Sequence, residues 1–407
     1  MNSSPIPFET ALQIVLDAGR MLQLPSEQIA LSAALGRVLA MPVSAQVDLP
    51  GFDNSAMDGF ALRHADLAGG GALRLIGEQF AGSRQPLGVQ VGECVRITTG
   101  APLPEETDTV LIKENARVEG DRVEALQAPA LGANVRLAGE DFRAGDVLAD
   151  AGECLDPLRI ATLAAGGCAA VLARRQPRVA VLATGDELRA PGRALAAGEI
   201  YDSNRYYLMA ALRAAGLDPV GFPTLPDQPG ALRAALQQAA ESFDVILTCG
   251  GVSAGERDLL PGLIRELGEV LFWKVRIKPG MPVLLGRIRQ ALVLALPGNP
   301  VSVLATFTQL GLPLLNALQG RAAPPPRWPA RLTAPLHKGH ARAEFRRGIA
   351  RLGADGVLGV EPHAAEGSHR LAAAAVCNVL IVLPEGPVEL AVGAAVAVSP
   401  YGAILTA

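Results

Sequence analysis

The sequence predicts a multidomain protein of mixed α/β and β structure, organised around one doubly wound α/β domain. Its 407 residues are more than one ordinary domain holds. Between residues 176 and 320, apolar runs typical of buried strands alternate with helical segments, which indicates a mostly parallel sheet. Short β-type runs separated by Gly, Pro or Asp turns fill residues 60–150 and recur after residue 330, so we also expect small β domains.

The N-terminal region predicts two short helices, at residues 8–24 and 28–40, with Pro25 in the start signal of the second. A third helix is predicted at residues 156–165, before the break at Gly166. We expect this helix to pack back on the first two. The N-terminal domain is then discontinuous, and the β-rich segment is an insertion within it.

The central region predicts buried strands in VAVLA, FDVILTC and ALVLAL, each followed by a helical pattern. The helix that contains SNRYYLMAALRA has Ser203 as its predicted N-cap and ends at Gly216. The run FWKVRIK reads as one strand. Since alternate residues of a strand share a face, Lys274, Arg276 and Lys278 are predicted to form a stripe of three cations.

Four domains follow from these patterns. They are an elongated, discontinuous N-terminal helical and extended domain, an inserted small β domain, the central α/β domain, and a C-terminal barrel-like β domain that begins at a proline-rich linker. Their predicted bounds, in the same order, are residues 1–50 with 142–175, 51–141, 176–322 and 323–407.

Composition narrows the function classes. A net charge of −4 and an aromatic content of 4% do not favour a nucleic-acid partner. Charge, Gly or Pro interrupts the apolar runs, so we expect no membrane partner. The five cysteines form no CxxC pair, so we expect neither a disulfide framework nor a structural zinc site. We expect a cytoplasmic location instead.

The first candidate site follows the strand VAVLA, because ligands of open α/β sheets bind beyond the carboxyl ends of the strands. Thr184 and Gly185 form a turn there, and Asp186 and Glu187 follow it. Two acids at this place suit a metal ion or a ribose hydroxyl. A plain helix N-terminus, where acids meet the dipole, explains them about equally well.

The second candidate site is the glycine-rich string after DVILTC, which runs from Gly250 to Gly255. Its glycines let backbone N–H groups approach a phosphate at a helix start. The string has the glycine spacing of a Walker A loop but lacks its Lys-Ser/Thr ending, so an ordinary ATPase is not predicted. It also matches G-x-S-x-G, which keeps a serine hydrolase using Ser253 as a weaker alternative.

The third candidate site is the turn after LVLAL, where Pro297 and Gly298 precede Asn299 as a possible cap and Pro300 at a first helical turn. Combined with the glycine loop, the acids and the cation stripe, this turn suits a ligand that carries phosphates and works with a divalent cation. Carboxylates without Cys or His clusters favour magnesium over zinc.

Six strings in order carry a family resemblance: NSAMDGFAL, TTGAPLP, TGDEL, GGVSAGERD, KPGMP and PGNPVS. With this domain plan they resemble the molybdopterin molybdotransferase (MoeA) family, which is related to the gephyrin E domain. The resemblance implies a molybdopterin-adenylyltransferase-like central domain and a homodimer. It also implies insertion of molybdenum from molybdate into adenylylated molybdopterin, with Mg²⁺ and release of AMP. Molybdopterin adenylyltransferase would be the substrate donor.

The resemblance also assigns residues. It places Asp58 in a cleft that the α/β domain of the partner subunit completes. It implies catalytic roles for Asp58, Thr99, Asp141, Glu187, Asp258, Lys274 and Lys278, with Asp227 as a further acid. It implies ligand binding by Thr184, Gly185, Gly250, Gly251, Ser253, Gly255, Pro297, Asn299, Pro300, Arg347 and Ser368. The metal carboxylates are expected among Asp58, Asp186 and Glu187.

Some alternatives stay open on the sequence. Arg346 adjoins Arg347, and either guanidinium can face the site. A non-catalytic molybdopterin-binding scaffold is the main functional alternative to the transferase, and the serine hydrolase is the weaker one.

Overall fold

The chain forms two compact units in the computed structural model. The first unit comprises Gln28–Ala173, and the second comprises Met1–Glu27 together with Arg174–Ala407. The structure describes residues 4–22, 24–82, 87–252, 259–321 and 326–406.

The predicted helix over residues 28–40 is wrong. The chain instead forms the strand Ser26–Ala30 and the single 3₁₀ turn Leu31–Ala33. The amide of Leu31 donates to the carbonyl of Ala169 at 2.9 Å, and the amide of Ala40 donates to that of Leu172 at 2.9 Å. Backbone pairing with a distant segment therefore overrides the helical propensity of the local sequence.

The first unit contains a six-stranded sheet and a separate small core. In spatial order the strands are Thr109–Ile112, Gly59–Leu62, Glu93–Ile97, Leu73–Gln79, Arg122–Ala125 and Ala116–Glu119. The small core joins residues 31–45 to residues 142–171, on the two sides of the sheet segment in sequence. The helix Pro157–Ala165 contributes Leu163 to this core.

A backbone approach in the sheet demands glycine at position 59. A Cβ built on Gly59 lies 2.0 Å from the carbonyl oxygen of Leu111 on the neighbouring strand. Any side chain would force the two strands apart. This glycine immediately follows Asp58 and so fixes the start of its strand.

The second unit contains the predicted α/β sheet. In spatial order its strands are Val220–Gly221, Val179–Ala183, Val245–Cys249, Ala291–Leu296, Leu284–Ile288 and Glu269–Trp273. The first four are parallel and the last two join antiparallel. The helices between and after these strands are Ser203–Ala214, Pro229–Ser242, Leu260–Leu267 and the stretch Pro300–Leu318. The doubly wound α/β domain is confirmed.

Two helices of this unit refine the sequence reading. Asp202 caps Ser203–Ala214, since its Oδ1 accepts from the Arg205 amide at 3.1 Å, so the prediction of Ser203 as N-cap is wrong. The stretch Pro300–Leu318 is long and apolar enough to cross a membrane, but 89% of it is buried inside the protein. It is a core helix, and it packs against the helix Phe8–Met21.

The predicted stripe of three cations on one strand is also wrong. The strand Glu269–Trp273 ends before Lys274, whose φ of 70° breaks the alternation of faces. The chain then enters the short strand Ile277–Lys278, which pairs with the strand Ala343–Leu352 of a different sheet. Arg276 between them pairs with Glu385 at 3.0 Å.

The C-terminal part of the second unit is a closed barrel, as predicted. Five strands pair in a ring: Trp328–Leu332, Leu358–Pro362, Ala343–Leu352, Val379–Leu383 and Ala395–Pro400. Its apolar side chains form a core of their own. The strand Ile277–Lys278 adds to this barrel, so the α/β domain supplies one of its pairings.

The remaining elements are short and connect those above. The strands are Val43–Ser44, Asn54–Ser55, Val135–Arg136, Val147–Ala149, Ala170–Arg174, Leu188–Arg189, Ile200–Tyr201, Leu336–Lys338, Val388–Leu390 and Leu405–Thr406. The helical pieces are His64–Gly69, Lys113–Asn115 and Leu371–Ala375.

Candidate functional site

A cavity of about 810 Å³ lies in the second unit. Glu187 and Ile200 line it together with residues from four segments: 278–282, 297–302, 342–347 and 363–368. We call it the basic cavity, because Lys278, Arg342, Arg346 and Arg347 all contribute to its wall. The first two segments come from the α/β part of the chain and the last two from the barrel. The cavity therefore depends on both folds.

A second cavity, of about 270 Å³, adjoins it. We call it the glycine cavity, since Gly185, Gly250 and Gly251 line it together with Thr184. Gly250 follows the strand Val245–Cys249 with φ +92°, and a Cβ there would lie 2.8 Å from the carbonyl oxygen of Thr184. The tight turn thus requires glycine at this position, and the Gly250 amide itself donates to the carbonyl of Leu296 at 3.2 Å.

The two cavities share part of their lining. Glu187, Pro282, Pro297 and Gly298 face both. A ligand that extends from the glycine cavity therefore reaches the basic cavity without leaving the protein surface. This shared wall brings the predicted residues of the first and third candidate sites together.

Acidic groups stand on the wall of the glycine cavity. Glu187 and Asp227 line it, and the Thr184 hydroxyl donates a hydrogen bond to Asp227. Asp186 takes another role: its Oδ1 accepts from the backbone amide of Asp227 at 3.2 Å and so ties the two loops together.

The acids suit a hard cation shared with a ligand. No group of three or more His, Cys, Asp and Glu side chains with metal-binding geometry occurs in the part of the chain that the structure describes. Mg²⁺, however, usually takes one or two carboxylates and completes its shell with water and substrate phosphates. Glu187 and Asp227 are such a pair of donors.

The cations of the basic cavity are organised by a buried carboxylate, Glu344, which is 3% exposed. The Lys278 ammonium lies 3.3 Å from its Oε1, and Arg346 Nη2 lies 3.2 Å from its Oε2. Glu366, whose side chain is exposed, contacts the same two cations. Lys278 and Arg346 are thus held in place in the wall of the cavity.

Arg347 has a different environment. Its side chain is buried, and its guanidinium donates to the carbonyls of Arg370 at 2.8 Å and Gly367 at 3.2 Å, and to that of Ala365. Burial lowers the pKa of this guanidinium, although an arginine remains charged at neutral pH. Arg347 therefore shapes the loop 365–370 that carries Ser368, while Arg346 pairs with the carboxylates of the cavity.

The turn at the third candidate site is fixed by two backbone contacts. Asn204 Nδ2 donates to the carbonyl of Gly298 at 2.7 Å, and the amide of Val301 donates to that of Ser368 at 3.0 Å. Asn299 is the N-cap residue of the helix that begins at Pro300, with its carbonyl rather than its side chain accepting the first helical hydrogen bond. This leaves the Asn299 side chain available to the cavity that it lines.

Lys274 lies apart from these groups. Its ammonium stands 4.5 Å from the centre of the Trp273 ring, and it is not among the described residues that line the two cavities. The Trp273 indole donates to the carbonyl of Val252 at 3.0 Å, so this cation–π pair of Lys274 and Trp273 adjoins the glycine-rich string. Ser253, Gly255 and Asp258, predicted from the same loop, lie outside the described residues.

The first unit carries the remaining predicted residues. Asp58 Oδ1 accepts hydrogen bonds from the backbone amide and the hydroxyl of Thr99, each at 2.9 Å. The Lys113 ammonium lies 3.7 Å from Oδ2. The Thr99 amide, followed by its hydroxyl, lowers the pKa of Asp58. Asp58 is thus a fixed carboxylate on the wall of a cavity of about 370 Å³, and Asp141 is exposed in the same unit.

Sequence reasoning missed several residues of the basic cavity, above all Glu344, Glu366 and Arg342. A signal for the first of them was present: the stretch from Ala343 to Arg347 reads as a strand with charged residues inside an apolar pattern. Charges in a buried strand indicate partners. The sequence did not identify these partners, because Lys278 reaches Glu344 only in the folded protein.

Comparison with known proteins gives consecutive matches along the chain. Three family profiles match: "MoeA N-terminal region (domain I and II)" over residues 6–167, "Probable molybdopterin binding domain" over 180–317, and "MoeA C-terminal region (domain IV)" over 329–401. A protein of Haemophilus influenzae named molybdopterin molybdenumtransferase is 36% identical in an alignment that covers 96% of this chain and 100% of that protein.

Two further similarities agree. A molybdopterin molybdenumtransferase of Nostoc is 36% identical, with 91% of this chain and 88% of that protein covered. The crystal structure of a molybdopterin biosynthesis MoeA protein from Pyrococcus horikosii superposes with a TM-score of 0.82 at 29% identity, over 98% of this chain and 100% of that one.

Proposed function

The chain belongs to the MoeA family of molybdopterin molybdenumtransferases, and from that premise we propose that its two cavities bring molybdate to adenylylated molybdopterin. The product is the molybdenum cofactor, and AMP is released. The observation that carries this proposal is the wall shared by the glycine cavity and the basic cavity.

The chemistry requires two anions to meet. Molybdate is a dianion and the substrate carries a pyrophosphate, so the two repel each other in water. The glycine cavity, with the backbone of Gly251 in its wall, would hold the phosphate-bearing end. Lys278 and Arg346, already fixed by Glu344, would hold the oxyanion in the adjoining cavity. Preorganised charge at fixed positions lowers the cost of the encounter.

Each remaining residue has a supporting part in this scheme. Arg347 holds the loop that presents Ser368, so a substitution there would disturb the oxyanion cavity through its shape. Asn204 fixes Gly298, which belongs to the wall between the cavities. These contacts hold the walls of the two cavities in place.

A magnesium ion, which neutralises phosphate oxygens when bound, fits this site. Glu187 and Asp227 would hold it together with the substrate, and Asp186 would orient the loop through the Asp227 amide. Asp58 would contribute a carboxylate from the other unit of a second copy. The ordered hydrogen bonds from Thr99 support that role, because they keep Asp58 ionised and in one orientation.

We place the protein in the cytoplasm as a homodimer, receiving its substrate from a molybdopterin adenylyltransferase. All five cysteines carry free thiols, which suits a reducing compartment. A twofold dimer would present the Asp58 unit of each copy to the basic cavity of the other.

One experiment tests both the activity and the dimer. Protein supplied with adenylylated molybdopterin, molybdate and Mg²⁺ is assayed for AMP release. Lys278→Ala removes one charged contact, worth about 1.5–3 kcal/mol, so we expect a loss of about 10- to 100-fold. Asp58→Ala should lose activity as well. After the two inactive variants are mixed and allowed to exchange subunits, about a quarter of wild-type activity should return, since half the dimers then have one intact site.

The control is Arg276→Ala. Arg276 is close in sequence to Lys278 but pairs with Glu385 outside the cavity lining, so this variant should keep the wild-type rate. Normal AMP release by Asp58→Ala would show that its assigned role is wrong. Two inactive variants that do not complement each other on mixing would exclude the shared site. A wild-type protein that binds the substrate but releases no AMP would favour the scaffold function.

A further inference from the structure

The basic cavity contains its own anion. Lys278 and Arg346 each contact two carboxylates of the protein, Glu344 and Glu366. The two carboxylates contact the same cations but differ in burial, since the Glu344 side chain is buried and the Glu366 side chain is exposed. An external anion that binds these cations would therefore displace one carboxylate more easily than the other.

Glu344 is the permanent counter-ion. Its side chain is 4% exposed, and it also lies 3.2 Å from His340 Nε2. Arg346 approaches both of its oxygens, at 3.2 and 3.3 Å. A buried carboxylate with several partners cannot leave without exposing unpaired charges, so Glu344 stays in place.

Glu366 is the displaceable counter-ion. Its side chain is 52% exposed, and its oxygens lie 3.4 Å from Lys278 Nζ and 3.5 Å from Arg346 Nη2. The backbone on both sides of it is anchored, because Arg347 donates to the carbonyls of Ala365 and Gly367. The side chain can therefore rotate toward solvent while the loop keeps its position.

We propose that the Glu366 carboxylate is a built-in competitor for the oxyanion and sets the affinity of the basic cavity. It contacts Lys278 and Arg346, which a tetrahedral dianion would also contact, and it must swing away when the dianion binds. This inference rests on the proposed function, since the dianion concerned is molybdate. Its consequence is weaker binding, which lets the oxyanion exchange.

The size of the effect follows from the exposure of the two contacts. Glu366 forms two ion pairs, one with Lys278 and one with Arg346. Exposed ion pairs are weaker than buried ones, and the loss of both should change the dissociation constant of molybdate about fivefold. Glu366→Gln keeps the size of the side chain and removes its charge. The variant should bind molybdate about fivefold more tightly than the wild type.

Isothermal titration of sodium molybdate into the whole protein tests this at low and at high ionic strength. The matched control is Glu385→Gln, which removes another exposed carboxylate that pairs with a cation, Arg276, outside the cavity. We expect tighter binding for Glu366→Gln alone. The gain should shrink at high salt, because it is electrostatic; a structural effect of the substitution would persist.

The outcomes separate the two proposals. Wild-type protein that binds molybdate while Glu366→Gln binds it equally or less tightly would overturn the competitor role and leave the proposed function standing. An equal gain for Glu385→Gln would also overturn it, because general surface charge would then explain the effect. Absence of molybdate binding in the wild type and all variants would count against both proposals.

Discussion

Gly59→Ala should strongly destabilise the first unit. The added methyl group would lie 2.0 Å from the carbonyl oxygen of Leu111, whereas ordinary contacts begin at 3.4 Å. To reach an ordinary contact the strands Gly59–Leu62 and Thr109–Ile112 would have to separate by about 1.4 Å, which stretches hydrogen bonds of the ladder beyond their useful length.

The cost can be assembled from these losses. Two weakened ladder hydrogen bonds cost about 1 kcal/mol each. Residual strain from the inserted methyl group costs about 2 kcal/mol. Alanine restricts the unfolded chain and returns about 0.7 kcal/mol. The free energy of unfolding should therefore fall by about 3 kcal/mol, which moves the urea midpoint down by about 1 to 2 M.

Circular dichroism during urea unfolding is the suitable assay. The two tryptophans, Trp273 and Trp328, belong to the second unit, so tryptophan fluorescence would not report on this sheet. Gly71→Ala is the control, because nothing lies within 4 Å of a Cβ at that exposed glycine. If Gly59→Ala unfolds at the same urea concentration as Gly71→Ala, the close approach does not constrain the residue.

Two further predictions concern charged groups. Thr99→Val removes the hydroxyl donor to Asp58 and should raise the pKa of that carboxyl, measured by NMR titration. Because the folded state lowers the pKa of Asp58, its ionised carboxylate stabilises the fold at pH values above the unfolded-state pKa, and this stabilisation disappears as the pH falls through the folded-state pKa. The free energy of unfolding of the variant should therefore depend less on pH in the acid range. An unchanged pKa of Asp58 would refute the assignment. Lys338→Met removes a buried ammonium that donates to the carbonyls of His340 at 3.0 Å and Arg342 at 2.9 Å. Thermal unfolding should show a loss of about 2–4 kcal/mol, and an unchanged midpoint would mean that those carbonyls find other donors.

The α/β domain was predictable because its strands are buried on both faces. Val179–Ala183, Val245–Cys249 and Ala291–Leu296 consist of apolar residues or small polar ones, and turn residues follow each of them. The carboxyl ends of these strands therefore identified the glycine cavity from the sequence. Gly250 carries the signal most clearly, since its backbone conformation excludes other residues.

The charge network of the basic cavity was not predictable in the same way. Lys278, Glu344 and Glu366 are far apart in the chain, and only the barrel brings them together. The alternation rule also failed at Lys274, because its positive φ is a local departure that no residue pattern announced. The helix predicted at residues 28–40 was wrong for a related reason, because backbone pairing with residues 169–172 determines the conformation of residues 26–31.

The short strand Ile277–Lys278 has a consequence for how this protein can be divided. It follows the strand Glu269–Trp273 of the α/β sheet in the chain but pairs with Ala343 and Glu344 of the barrel. A segment of the α/β part is therefore also part of the barrel. Excising the barrel would remove Glu344 from beside Lys278 and open the basic cavity to bulk solvent. The α/β part is therefore not separable from the barrel, and a truncation or domain swap at the proline-rich linker would remove two of the four segments that line the basic cavity even where the α/β sheet survives.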